Sequence, residues 1–174
     1  MDGETVETVT GWESEPLSGG IDGLRTLQSR DFTGAVTEGH AWLFMLNGRV
    51  VGVFDGSMAD FEDASGTAYR APDPALVMLC TMWETGGQRK AKYYTNETPI
   101  EEVDDTLTSG SFTGFVELSE NVLSGDYYVC YYGGRSLPVA FVGNSEKLLT
   151  GDEAFERADD EIGIYSVVDV DVSV

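Results

Sequence analysis

The sequence predicts an α+β protein of two duplicated modules, each a short helix plus mostly antiparallel strands, packed as one pseudo-twofold body. Three observations predict it. Asp31-Phe32-Thr33-Gly34-Ala35-Val36 is echoed by Ser111-Phe112-Thr113-Gly114-Phe115-Val116. Each is followed by an aromatic run that closes on a turn and an arginine, Asn47-Gly48-Arg49 or Gly133-Gly134-Arg135, and then by Phe54-Asp55-Gly56 or Phe141-Val142-Gly143. Carried further, the alignment sets residues 68–73 against residues 154–160. The modules are assigned to residues 1–98, with an acidic lead, and 99–174. Either alone is too small to bury much core, so the pair is expected to pack together.

Taken in order, Pro16-Leu17-Ser18-Gly19-Gly20 reads as a turn that separates the lead from the first module. Ile21, Leu24 and Leu27 fall at helical spacing, and a strand over 34–38 follows. Residues 40–46 and 49–54 flank Asn47-Gly48, a pair suited to the positive φ angles of a type I′ turn, so they form a hairpin. Alternation puts Trp42, Phe44 and Leu46 on one face and Ala41, Leu43 and Met45 on the other, which predicts a central strand buried on both sides. Asp73-Pro74 and Gly86-Gly87 bracket a buried helix over 75–84. The alignment pairs this helix with residues 162–168, whose β-branched residues predict a strand, so the halves are expected to have diverged there.

Gln88 to Thr95 is a further strand. Pro99 opens a helix through Ile100, Val103 and Leu107 that Gly110 closes. Strands follow over 114–119, 127–132 and 135–141, the last two joined by Gly133-Gly134. Residues 153–158 form a short helix or turn. The alternating 169–174 reads as a half-buried strand running to the last residue, and is expected to be a domain edge inside a longer protein.

The 174 residues are 41% hydrophobic and 11% aromatic, enough for a core, yet carry a formal charge of -21. Such a surface repels itself unless screened, and at roughly 1 M salt the Debye length falls to about 3 Å. Three lysines against seven arginines add to the expectation of a halophilic, haloarchaeal cytoplasmic protein. An acidic mesophilic protein is the alternative. No segment has the apolar length of a membrane span or the features of a signal peptide. Cys80 and Cys130 stand alone, so both are read as reduced, buried apolar residues. Asn96-Glu97-Thr98 matches a glycosylation acceptor but means little without export.

Residues 32–36, 42–54 and 123–129 resemble a haloarchaeal family of larger acidic proteins whose function is not established. The likeness spans essentially the whole chain. More distantly, the order of helix, Thr-Gly-x-Val strand, apolar strand, Gly-Arg turn and apolar strand is similar to PATAN-type modules of bacterial and archaeal signalling proteins. That resemblance implies interaction rather than catalysis. The apolar stretch 75–83 and the expansion at 121–125 depart from the pattern.

Catalytic and cofactor motifs are not found. The only histidine, His40, opens an aromatic strand and reads as structural, and Gly143-Asn144-Ser145-Glu146-Lys147 fails the nucleophile-elbow pattern at its last position. There is no phosphate-binding glycine loop and no zinc or calcium spacing, so no cofactor or metal is assigned. Asp159-Asp160-Glu161 is a cluster expected by chance among 31 acidic residues.

Two surfaces remain as partner-binding candidates. Arg89, Lys90 and Lys92 beside Tyr94 gather three of the ten basic residues on one strand. This composition suits phosphate contact and base stacking, or the guarding of an exposed sheet edge. Tyr128 and Tyr132 represent the tyrosine pairs 127–128 and 131–132, which place a ring on each side of their strand, one set in the core and the other open to a partner. The expected function is a non-enzymatic interaction or scaffold module whose partner is another protein or another domain, with a homodimer as one form. A small-ligand sensor with its site between the modules, or a DNA-associated regulator, are the alternatives.

Overall fold

The computed structural model describes residues 1–120, 122–143 and 146–172, which divide into two compact units. The first comprises residues 1–85 joined by Val172, the second Gly86–Asp171. The division precedes the 98/99 boundary expected from sequence, because Gln88–Tyr94 pairs along its length with a strand of the second unit.

In the first unit the acidic lead is structured, contrary to its reading as a mere lead. Asp2 caps α1 (Gly3–Thr10) by accepting the Glu4 N–H, which satisfies one of the donors a helix start leaves open. The Met1 ammonium pairs with Asp55, and that hydrogen bond holds its pKa above the ordinary value. β1 (Glu13–Leu17), unrecognised because Pro16 interrupts it, leads into α2 (Ile21–Ser29). β2 (Gly34–Thr37), β3 (Trp42–Leu46) and β4 (Arg49–Phe54) form a meander. A 3-10 turn (Met58–Phe61) and β5 (Gly66–Arg70) then precede α3 (Pro74–Thr85). The antiparallel sheet runs β1-β5-β2-β3-β4. β3 is interior and every residue of it is buried. Eight consecutive residues of α3, Ala75 to Met82, are buried, as expected of a helix apolar all round.

The second unit opens with β6 (Gln88–Tyr94) and α4 (Ile100–Ser109). β7 (Gly114–Glu120), β8 (Gly125–Tyr132), β9 (Arg135–Val142) and β10 (Lys147–Thr150) follow, then α5 (Gly151–Asp160) and β11 (Ile164–Asp169). Its antiparallel sheet runs β10-β9-β8-β7-β11-β6. Read from the first strand of each unit, both sheets share one order: first strand at the edge, then the last, the second, the third and the fourth. The second sheet adds β10 beyond.

This order corrects the alignment of the two halves. The counterpart of β11 is β5, not α3, and residues 68–73 and 154–160 lie in unlike elements, a strand and a helix. The helix-against-strand mismatch expected there comes from setting α3 against β11, which hold unlike places in the two units. Phe54 pairs with Trp42, whereas the equivalent Tyr128 pairs with Val139 and Phe141 with Asp126, so Phe54 and Phe141 are not equivalent. The terminal strand also ends early, at Asp169. Val170 and Val172 stay buried and Asp171 exposed, but the ladder stops because β7 begins only at Gly114, and the Val170 N–H goes to the Thr113 carbonyl. Residues 173–174 of that reading, Asn144 and Ser145 of the failed elbow, and Asn121 of the expansion lie outside the described residues.

The repeated Phe-Thr-Gly builds one corner twice. Asp31 and Ser111 both hold left-handed backbone, at φ 54° and 53°. The Phe32 N–H then closes on Leu27 O and the Phe112 N–H on Leu107 O, each at 3.1 Å, ending the preceding helix. Phe32 O accepts from Gly48 (2.8 Å) and Phe112 O from Gly134 (2.9 Å). Thr33 Oγ1 accepts the Asn47 N–H (3.0 Å) and Thr113 Oγ1 the Gly133 N–H (2.9 Å), tying each corner to its hairpin. A Cβ on Gly34 would lie 2.0 Å from Tyr69 O, and one on Gly114 2.1 Å from Val168 O, so only glycine admits the neighbouring strand.

Candidate interaction edge

Among the described residues β6 is an edge strand, hydrogen-bonded as a ladder to β11 alone. Arg89, Lys90, Lys92 and Tyr94 are exposed on it, while Ala91 and Tyr93 turn inward against the core of the second unit. The ladder slips between Val167 and Val168: Arg89 faces Val168 and Ala91 faces Val167, which leaves Lys90 as the extra residue of a bulge. Lys90 Nζ donates to Gln88 Oε1 (3.2 Å), and Asn96 Nδ2 donates to the Tyr94 hydroxyl (3.3 Å).

Beside β6 lies a groove of about 510 Å³ whose other wall is α4. Its apolar lining includes Tyr93, Leu107 and Phe112, and Lys90 and Glu102 supply charge. Sequence reasoning found Lys90 but missed the groove, since its walls come from separate elements; the inward alternation of Ala91 and Tyr93 was the available signal. The first unit has a groove in the equivalent place, between β1 and α2, of about 360 Å³ and lined by Glu15, Leu17, Thr26 and Arg30 among others. There Arg30 pairs with Glu15 at 3.4 Å.

The tyrosines of β8 fare differently from their reading. Tyr127 and Tyr131 are core residues, but Tyr128 is also buried, at 9% exposure, with its ring edge-on to Phe141, and Tyr132 is half-buried. Tyr128 therefore offers little surface to a partner. The Tyr131 hydroxyl donates to Asp104 Oδ1 (2.5 Å), and burial followed by that bond to a carboxylate pushes its pKa far up. Tyr165 donates to the Thr98 carbonyl (2.7 Å) and is likewise raised, chiefly by burial. Neither phenol is poised as an acid or base near neutrality.

Other reactive side chains are placed structurally. Cys80 and Cys130 are free and buried, and burial pushes the Cys80 thiol up to about 12, so it is not an activated nucleophile. His40 is exposed in the bend before β3 rather than packed in an aromatic strand, because its backbone N–H is taken by Glu38 Oε1 in a tight turn. Ser124 donates to Glu161 Oε1 (2.6 Å), which also accepts from Tyr127 (3.2 Å). This cluster ties two loops together. Among the described residues, no three His, Cys, Asp or Glu side chains converge as metal ligands, and no helix is long and apolar enough to cross a membrane.

Comparison with protein-family models, with curated proteins and with solved structures finds no match for this chain.

Proposed function

We propose that this chain is a non-enzymatic interaction module built from two copies of one duplicated unit, with β6 as its contact edge. The observation that carries the reading is the exposed edge strand itself: it bears three of ten basic residues in a chain of charge -21 and runs beside an open groove. An edge strand presents unpaired backbone groups to a partner, and exposed cations make that edge selective. The duplication is supported by the shared strand order and the twice-built Phe-Thr-Gly corner. The charge supports a salt-rich cytoplasmic setting, and the likeness to PATAN-type modules supports interaction over catalysis.

The test is a pair of full-length chains carrying a photocrosslinking residue at Lys92 or at Ser14, which lie on the equivalent edge strands β6 and β1. Irradiated at native salt in a lysate of the source organism, the Lys92 chain is expected to form discrete protein adducts and the Ser14 chain none. Absence of adducts from β6, or equal adducts from both edges, overturns the reading. A second reading, small-ligand sensing, is favoured by the groove volume of about 510 Å³, within the range of ligand pockets. Its site would then lie inside the second unit, and dialysis against metabolite pools would show a retained small molecule.

A further inference from the structure

We propose that the groove between β6 and α4 binds a small zwitterion with an aromatic body, an aromatic amino acid or a dipeptide carrying one, its carboxylate at Lys90 and its ammonium at Glu102. This rests on the small-ligand reading above and names the ligand's chemistry.

The bulge in β6 carries the first step. Ala91 and Tyr93 turn inward, and strict alternation around Ala91 would send Lys90 away from the groove. As the extra residue of the bulge, Lys90 lines the groove together with Ala91 instead, since a bulge re-aims a side chain. Its Nζ donates to Gln88 Oε1 (3.2 Å), and an ammonium has three hydrogens to give, so two remain for a ligand. On the facing wall Glu102 is exposed in the first turn of α4 and, among the described residues, makes no ion pair.

The first unit shows the closed counterpart. There Glu15 on β1 and Arg30 at the end of α2 both line the smaller groove and hold each other at 3.4 Å, so that groove neutralises its own charges. In the second unit the cation and the carboxylate stand on separate walls without pairing. Between them runs an apolar strip, Tyr93, Leu107 and Phe112. The strip is fixed from behind: the Tyr93 ring lies against Tyr165 with centroids 5.5 Å apart, and Phe112 is edge-on to Tyr131 at 5.9 Å. Ordered apolar walls with a few polar groups are what a ligand site requires.

Charge then decides the class. An apolar anion would satisfy Lys90 and face the Glu102 carboxylate, and an apolar cation would do the reverse, whereas a zwitterion meets both. It also carries no net charge for a body of charge -21 to act on at a distance. Exposed ion pairs contribute little each, so the aromatic body supplies most of the affinity, against the rings of Tyr93 and Phe112. The charged ends set orientation and choice.

The experiment titrates the full chain in concentrated potassium chloride with phenylalanine, glycylphenylalanine, phenylpropionate, which lacks the ammonium, and phenethylamine, which lacks the carboxylate. Calorimetry follows binding, and amide chemical shifts locate it. The zwitterions are expected to bind with shifts confined to β6 and α4, and the tighter of the two identifies free amino acid or peptide as the source. Loss of the ligand's ammonium should weaken binding about threefold in the native chain and not in Glu102→Gln, and loss of its carboxylate about threefold in the native chain and not in Lys90→Gln. Thr106 is exposed and lines the groove, so Thr106→Trp should fill it and abolish binding. Circular dichroism verifies the fold of each variant. No binding of either zwitterion, shifts elsewhere, singly charged analogues that bind as tightly, or unchanged binding by Thr106→Trp overturns the proposal. If the zwitterions fail while dialysis still retains a small molecule of another class, the zwitterion proposal falls and the sensing reading stands. If dialysis also retains nothing, both fall; the Lys92 adducts test the interaction reading separately.

Discussion

In the first unit the helix after the edge strand carries Gly23 nine residues before Phe32, and in the second unit the same count from Phe112 falls on Val103. A Cβ at Gly23 would lie 2.4 Å from Ser18 O and 3.0 Å from Leu17 Cδ1, so α2 can lie close on the end of β1 only because the side chain is absent. Val103 supplies the bulk that Gly23 lacks, and the groove beside it is about 510 Å³ against about 360 Å³. One residue further, Leu24 and Met45 line an apolar hollow, where the equivalent Asp104 and Tyr131 make a hydrogen bond of 2.5 Å. The corner is held by backbone bonds and glycine and is the same in both units. The helix-to-sheet filling is held by side-chain volume and differs. Groove size follows from the second kind of constraint.

The largest expected effect separates the two corners. Phe32 is 1% exposed while Phe112 is only partly buried, so Phe32→Ala should cost about 4 kcal/mol in chemical denaturation and Phe112→Ala about half as much. Equal losses would mean that the two rings do equal packing and would weaken the contrast.

The glycines should behave alike. Gly34→Ala and Gly114→Ala each drive a methyl into a strand carbonyl and a phenylalanine ring, at a cost of about 3 kcal/mol or more. A harmless substitution at either position would break the claim that the corner is built twice.

Alkaline pH probes the fillings. Folding raises the Cys80 thiol from 9.0 to about 12, and raises Tyr131 and Tyr165 above the ordinary 10.0. The unfolded chain therefore loses these protons first, and the stability held below pH 9 is lost as pH rises, by up to about 1.4 kcal/mol per pH unit for each group. Cys80→Ala should flatten the decline that begins near pH 9, and Tyr131→Phe the part that begins near pH 10. Denaturation midpoints measured between those values and pH 12 check it; unaltered slopes in both variants would dissociate the decline from these groups.

The smallest effect is a gain. Thr81 Oγ1 is buried in α3 with no hydrogen-bond partner among the described residues, so Thr81→Val should raise stability by about 1 kcal/mol. A loss of that size would show that the hydroxyl is satisfied in solution.

Local chemistry carried much of this fold to the surface of the sequence. Asn47-Gly48 and Gly133-Gly134 name their hairpin turns because both positions need positive φ, and all four residues have it. Asp73-Pro74 and Gly86 bracket α3 for equally local reasons, a capping carboxylate that accepts the Ala75 N–H and a left-handed stop. The cations of β6 were legible as a cluster, and so was their fitness for an edge.

Other features were not legible. β1 and β5 form a ladder between residues 49 to 57 apart, from Leu17 opposite Gly66 to Glu13 opposite Arg70, and neither strand has an apolar run of its own to announce it. Missing them matched β11 with a helix. Tyr128 reads as a surface ring by alternation alone, and is buried because a pleat assigns a face but not what covers it. By itself, then, the sequence determined the turns, the caps and the charge, each set within a few residues, and it displayed the repeated corner as a repeated motif. Only the tertiary structure decided which strand became the open edge and how wide the groove beside it is, because both depend on partners and packing volumes contributed from distant parts of the chain.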